Sequence, residues 1–179
     1  MIIRVAKNAI KLKVGRVVVG TDSNEILKIC QKNNIEALMT KKTHESGTDR
    51  VCEVYNKIND DHDIVINLQG DLPIFDNELF KKIINLFNDR SVDIGSAICD
   101  LNSDEIDDQN VVKAKVELDK NFAGNAIDFQ RTITNDQNFF HHIGIYAYRP
   151  SVLKKFVKLN QTKNEKVRRL EQMRALDNN

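Results

Sequence analysis

Apolar residues in MIIRVAKNAIKLK fall at Ile2, Val5, Ala6, Ala9 and Ile10, the spacing of one helix face. The pattern predicts an amphipathic helix with no cap residue before it. The period then changes. RVVVGTD, Arg16 to Asp22, is a compact β-branched run and predicts a strand. Asp22 followed by Glu25 has the form of a capping box, so a helix is expected from there to about Asn33. EALMT predicts a second short strand, and HESGTDR a loop leading into a helix through Val51, Val54 and Ile58. IVINLQGDLP predicts a buried strand that stops at Gln69-Gly70, presents the carboxylate of Asp71 and breaks at Pro73. Asp76 is the expected cap of a helix from Glu78 to Asn88, and VDIGSAIC predicts another strand.

Strands alternating with helices of this length argue for βαβ units on a parallel sheet. After Cys99 the texture changes: VVKAKVEL, AGNAIDFQR and FFHHIGIYAYR read as strands with little helix between them, a mixed or antiparallel portion completing the sheet. Two helices are expected at the end, Pro150 to Leu159 and Glu165 to about Leu176, with Pro150 suited to a first helical turn. No internal repeat, linker or low-complexity segment interrupts the pattern, and a single domain over residues 1–179 is the economical reading. In open α/β sheets ligands sit beyond the carboxyl ends of the strands, where GTD, QGD and HESGTDR all fall.

Composition narrows the function classes. Hydrophobic content of 41% and charged content of 30% are those of a soluble globular chain. A net charge of +1 argues against a nucleic-acid partner held mainly by phosphate contacts. Cys30, Cys52 and Cys99 are far apart, with neither CxxC nor zinc spacing, and read as reduced thiols, mostly buried. No apolar run approaches the ~18 residues that span a bilayer, and no signal peptide is apparent; a cytoplasmic protein with no membrane partner is expected. The lysines and arginines from Lys154 to Arg169 read as a solvated face.

On their own, the chemical candidates have bland readings. Asp71 can be a turn residue or helix cap, His142 a satisfied strand histidine, and Glu171 part of a solvated helix face. Taken together and in order, HESGTDR, NLQGDLP, HHIGIYAYR and LEQMR resemble the 3-deoxy-manno-octulosonate cytidylyltransferases, with VVVGTD before them and NVVKAKVELD between. The resemblance runs from Met1 to about Leu176. It implies an α/β, nucleotide-diphospho-sugar-transferase-like (Rossmann-like) fold with a mixed sheet and flanking helices. It also implies transfer of CMP from CTP to 3-deoxy-manno-octulosonate (Kdo), with release of pyrophosphate, for lipopolysaccharide synthesis in the cytoplasm. CTP and Kdo are then the small-molecule partners, Mg²⁺ the cofactor, and a homodimer the assembly.

Carried over to this sequence, the resemblance makes Asp71 the catalytic, Mg²⁺-holding carboxylate. Ser46, Gly47, Thr48, Arg50 and Gln69 fall on the nucleotide side, and Gly70 permits close backbone approach. Arg131 suits the sugar-acid carboxylate, which a guanidinium pairs bidentately. His142 and Tyr146 line the sugar pocket, and Glu171 and Gln172 bond sugar hydroxyls. His44, His62 and His141 read as structural or exposed.

Departures from the family pattern add further expectations. The family's first strand and its RxxSxRLPGKPL phosphate loop have no counterpart in this sequence, nor does the GVDTxxD segment with a second metal-binding aspartate. Leu72 replaces an acidic residue, Thr132-Ile133-Thr134 lacks the proline usual after the arginine, and Arg168 and Arg169 replace an acidic and an apolar residue. The expectation is a domain truncated at both ends, lacking a central strand, and weakly active or inactive alone. Two alternatives stand beside it: a non-catalytic remnant or sugar-acid-binding fragment, and a cytidylyltransferase for another sugar acid.

Overall fold

The first helix forms where the pattern puts it. α1, Ile2–Leu12, buries Val5, Ala6 and Ala9 and ends at Lys13, whose left-handed backbone (φ 54°) closes the last turn onto the Ile10 carbonyl. The computed structural model describes residues 1–72, 75, 77–134 and 138–179; the expected break at Pro73 and the expected cap Asp76 lie outside them. The chain divides into two compact units. Unit 1 comprises Met1–Gly95 and Ile145–Val157, and unit 2 Ser96–Gly144 and Lys158–Asn179.

In unit 1, β1 (Val19–Thr21), α2 (Asn24–Lys32) and β2 (Ala37–Met39) make a βαβ unit whose strands pair in parallel, Val19 opposite Ala37. Val19, Ala6, Cys30 and Ile35 form its core, with Ile2 and Ile3 packed against them. The cap of α2 is Ser23, which accepts from the Ile26 amide, and not the expected Asp22. Asp22 is drawn away into an ion pair with Arg50, at 2.9 Å.

α3 (Gly47–Ile58) packs on β1 and on β3 (Val65–Leu68). α4 (Asn77–Leu86) buries Phe80 and Ile83, and β4 (Ile94–Cys99) follows. β3 pairs antiparallel with the last four residues of β7 (Phe139–Tyr148), Asn67 opposite Tyr146. The expected parallel arrangement therefore holds for β1 and β2 but not for β3. A second core of Cys52, Tyr148 and Leu153 joins α3 to β7 and to α5 (Pro150–Phe156), which starts at Pro150 as expected.

In unit 2, β5 (Lys113–Leu118) lies antiparallel to both β6 (Gly124–Gln130) and the first residues of β7. The register between β5 and β6 shifts at Lys115/Val116, a bulge. Ala114, Val116 and Phe129 face inward and meet Leu170 and Met173 from the C-terminal segment. The single final helix expected from Glu165 is broken. α6 (Lys163–Arg168) stops at Arg169, whose φ of 55° reverses the chain, and α7 (Met173–Leu176) begins after a short turn. A straight helix would put Glu165 and Arg174 on opposite faces, whereas the break lets them pair while Leu170 and Met173 enter the core. Cys30 and Cys52 are buried free thiols, while Cys99 is exposed.

Candidate active site

In unit 1 the candidate residues cluster around the start of α3 and the end of β3. Ser46 caps α3: its hydroxyl accepts from the Asp49 amide at 3.1 Å, and the Asp49 carboxylate accepts from the Ser46 amide at 3.2 Å. This capping box satisfies amides that a helix start leaves without intrahelical partners. Thr48, fully buried, accepts from the Asn67 amide at 3.3 Å, and Gln69 donates to Asn67 Oδ1 at 3.0 Å. The chain Thr48–Asn67–Gln69 thereby ties the first turn of α3 to the end of β3. Gly47 makes room for it, since a Cβ there lies 3.3 Å from the Gln69 amide atoms.

Beyond Gln69 the chain turns, with the Leu72 amide donating to the Gln69 carbonyl at 3.3 Å. Gly70 sits against Ile2 of α1, 3.3 Å from where its Cβ would be, so the close approach expected of this glycine is made to the protein's own first helix. Asp71 is exposed on this turn, and no ion pair or hydrogen bond to a described residue engages its carboxylate. A lone carboxylate of this kind suits a hard cation that takes most of its oxygens from phosphates and water, as Mg²⁺ does. Tyr146 stands on β7 opposite Asn67.

Arg50, one turn into α3, faces the ends of β1 and β2. It donates to Asp22 at 2.9 Å and to the Thr40 hydroxyl, and its stem lies 3.3 Å from a Cβ placed at Gly20. His44 bonds Glu53, which also pairs with Lys57 at 2.7 Å and accepts from the Lys41 amide at 3.0 Å. These donors, Lys57 first, hold the Glu53 carboxyl down to about 2 and pin the loop before Ser46 onto α3. His44, read as structural or exposed, is held on α3 through Glu53.

Unit 2 brings Arg131, His142 and the Glu171–Gln172 turn into one neighbourhood. Gln130, Lys113 and His141 are lateral neighbours on β6, β5 and β7. His142, 8% exposed, places Nε2 at 2.9 Å from Ser96 Oγ and its ring edge-on to Phe129. Burial first, and the neighbouring His141 second, push its imidazole down to about 4, so the ring is neutral at neutral pH. His141 pairs with Glu105 at 2.8 Å. The Arg131 guanidinium donates to the Gln109 carbonyl at 2.9 Å and to the Arg169 carbonyl at 3.4 Å. It therefore touches the turn that carries Glu171 and Gln172, and among the described residues it has no carboxylate partner.

Sequence reasoning missed four supporting residues. Asn67 is signalled only as a polar residue inside the β-branched run IVINL. Lys113 is fully buried, donating from Nζ to the Asp108 and Arg131 carbonyls at 2.6 and 2.7 Å; an alternating lysine in a strand carries no hint of that. Glu165 and Arg174 form a buried ion pair nine residues apart, a spacing with no local meaning.

Comparison with known proteins gives the family and the fold. A family model described as cytidylyltransferase matches residues 1–179. The 3-deoxy-manno-octulosonate cytidylyltransferase of Brucella anthropi is 39% identical over 185 residues, covering 99% of this chain and 74% of that protein. The Brucella ovis enzyme of the same name is 39% identical over 186 residues, with 99% and 73% covered. Among solved structures, a CMP:2-keto-3-deoxy-manno-octonic acid synthetase complexed with CTP superposes with a TM-score of 0.86 at 30% identity, over 99% of this chain and 74% of that one. The 4-diphosphocytidyl-2C-methyl-D-erythritol synthase of Anaerococcus prevotii shares the fold, with a TM-score of 0.57 at 13% identity, over 99% of this chain and 72% of that one. With its nucleotide-diphospho-sugar-transferase fold and a match along its whole length, the chain belongs to the cytidylyltransferase family and is related to the 3-deoxy-manno-octulosonate cytidylyltransferases.

Proposed function

We propose that this chain is a cytidylyltransferase that transfers CMP from CTP to Kdo. In this reading the anomeric hydroxyl of the sugar acid attacks the α-phosphorus. A new P–O bond forms, the α–β P–O bond breaks, pyrophosphate leaves, and the hydroxyl proton passes to solvent. Unit 1 supplies the nucleotide side: Ser46, Gly47 and Thr48 at the start of α3, with Arg50, and Gln69 held by Asn67. Arg131, His142, Glu171 and Gln172, all in unit 2, are the sugar-acid residues of this reading.

Asp71 would hold Mg²⁺, which when bound neutralises charge on the α-phosphate. The protein's own groups bind and orient. Arg131 pairs the sugar-acid carboxylate, neutral His142 hydrogen-bonds without adding charge, and Glu171 and Gln172 select among hydroxyls. A wrong sugar leaves such polar groups unpaired, which is how sites of this type discriminate. The reaction belongs in the cytoplasm, with a homodimer as the expected assembly.

The observation that supports this reading most is Arg131. Among the described residues its guanidinium bonds carbonyl oxygens only, which leaves its charge for an incoming carboxylate, beside the turn that bears Glu171 and Gln172. The test is pyrophosphate release from CTP, Kdo and Mg²⁺, run beside Asp71→Asn and a panel with sialic acid. Turnover with Kdo, reduced ~10²-fold or more in Asp71→Asn, is expected. Turnover with sialic acid alone overturns the sugar assignment. Kdo binding by calorimetry with no turnover supports the sugar-acid-binding protein instead.

A further inference from the structure

α6 has six residues and α7 four, too few for either to persist by its own hydrogen bonds. Between them the chain reverses at Arg169, and the reversal presents Glu171 and Gln172. Glu165 closes this segment twice. Its Oε2 accepts from the Thr162 amide at 3.2 Å, completing the capping box that starts α6. The same oxygen accepts from Arg174 Nε at 2.9 Å, and Oε1 accepts from Arg174 Nη2 at 2.5 Å. Glu165 and Arg174 are 6% and 5% exposed. Inside the loop that this pair closes, the Leu170 amide donates to the Glu165 carbonyl at 3.2 Å and the Arg174 amide to the Glu171 carbonyl at 3.0 Å. Leu170 and Met173 anchor the same stretch in the unit 2 core.

A buried ion pair is a poor device for stability alone, because desolvation cancels much of its attraction and apolar residues of like size often serve as well. What a two-pronged guanidinium–carboxylate contact adds is a fixed direction. We propose that the Glu165–Arg174 pair is a positioning device that holds the Leu170–Gln172 turn in the conformation that receives the sugar acid. The pair does not touch the ligand. The inference rests on the reading that Glu171 and Gln172 bind sugar hydroxyls.

The test compares wild type with the double variant Glu165→Gln/Arg174→Met, in which the glutamine keeps an acceptor for the Thr162 amide. Arg174→Lys retains the charge but loses the fork. Calorimetric titration with Kdo, titration with CTP, and hydrogen exchange of the 170–174 amides are measured on each, with thermal melting as the check on folding. The double variant is expected to bind Kdo about tenfold more weakly, as misplaced contacts do. Its CTP affinity is unchanged, the 170–174 amides exchange faster, and Arg174→Lys falls between. Unchanged Kdo affinity in a folded variant, or unchanged exchange at those amides, overturns the positioning role. If the double variant does not fold, Arg174→Lys decides by the same two readouts. Wild type that binds no Kdo is a different result: it removes the sugar-acid reading itself and the inference with it.

Discussion

At the scale of single residues, two of the proposed site side chains, Asp71 and His142, have different environments. Asp71 is exposed, with its carboxylate open to a cation, whereas His142 is buried and held neutral. Because burial lowers the His142 pKa from 6.5 to about 4, the unfolded chain binds a proton there that the folded chain does not, throughout the window between those values. Stability from this site is therefore complete above pH 6.5 and is lost as pH falls toward 4, by roughly 3 kcal/mol in all. Scanning calorimetry between pH 7 and 4.5 should show this slope, and His142→Gln should flatten it. QGD marked Asp71 in the sequence only together with the other motifs that resemble the family. Nothing marked Ser96 as the partner of His142, since 46 residues separate them.

The elements show where local pattern suffices and where it fails. α3 begins at Gly47, inside the HESGTDR stretch that reads as a loop, because Ser46 and Asp49 solve the helix-start problem within four residues. Ser46→Ala removes that solution and is expected to cost about 1 kcal/mol in urea unfolding. It should also raise KM for CTP, because Gly47 and Thr48 sit in the first turn. α2 is the contrary case. Asp22 and Ser23 both qualify as caps, and the choice fell to Ser23 because Arg50, 28 residues on, takes the Asp22 carboxylate. The C-terminal helix broke for a similar reason, as Arg169 adopts a left-handed backbone so that core contacts and the Glu165–Arg174 pair can form together.

For the whole molecule, each unit has its own core, and each is expected to answer for its own packing. Leu153 in unit 1 is fully buried and Leu170 in unit 2 is 3% exposed. Either leucine changed to alanine should cost about 2–5 kcal/mol in urea unfolding. Hydrogen exchange should show amide protection lost first within the unit that carries the change. The amino-acid sequence by itself determined the order and type of most elements and, through four short motifs, the family. Those depend on periodicity and on contiguous residues, which survive without any knowledge of the folded chain. Only the tertiary structure decided that β3 pairs antiparallel with β7, that Gln69 is held through Asn67, and that Arg131 reaches the turn before Glu171. Hydrogen bonds and ion pairs between residues distant in the chain exist only after folding brings them within about 3 Å, and no local pattern encodes their partners.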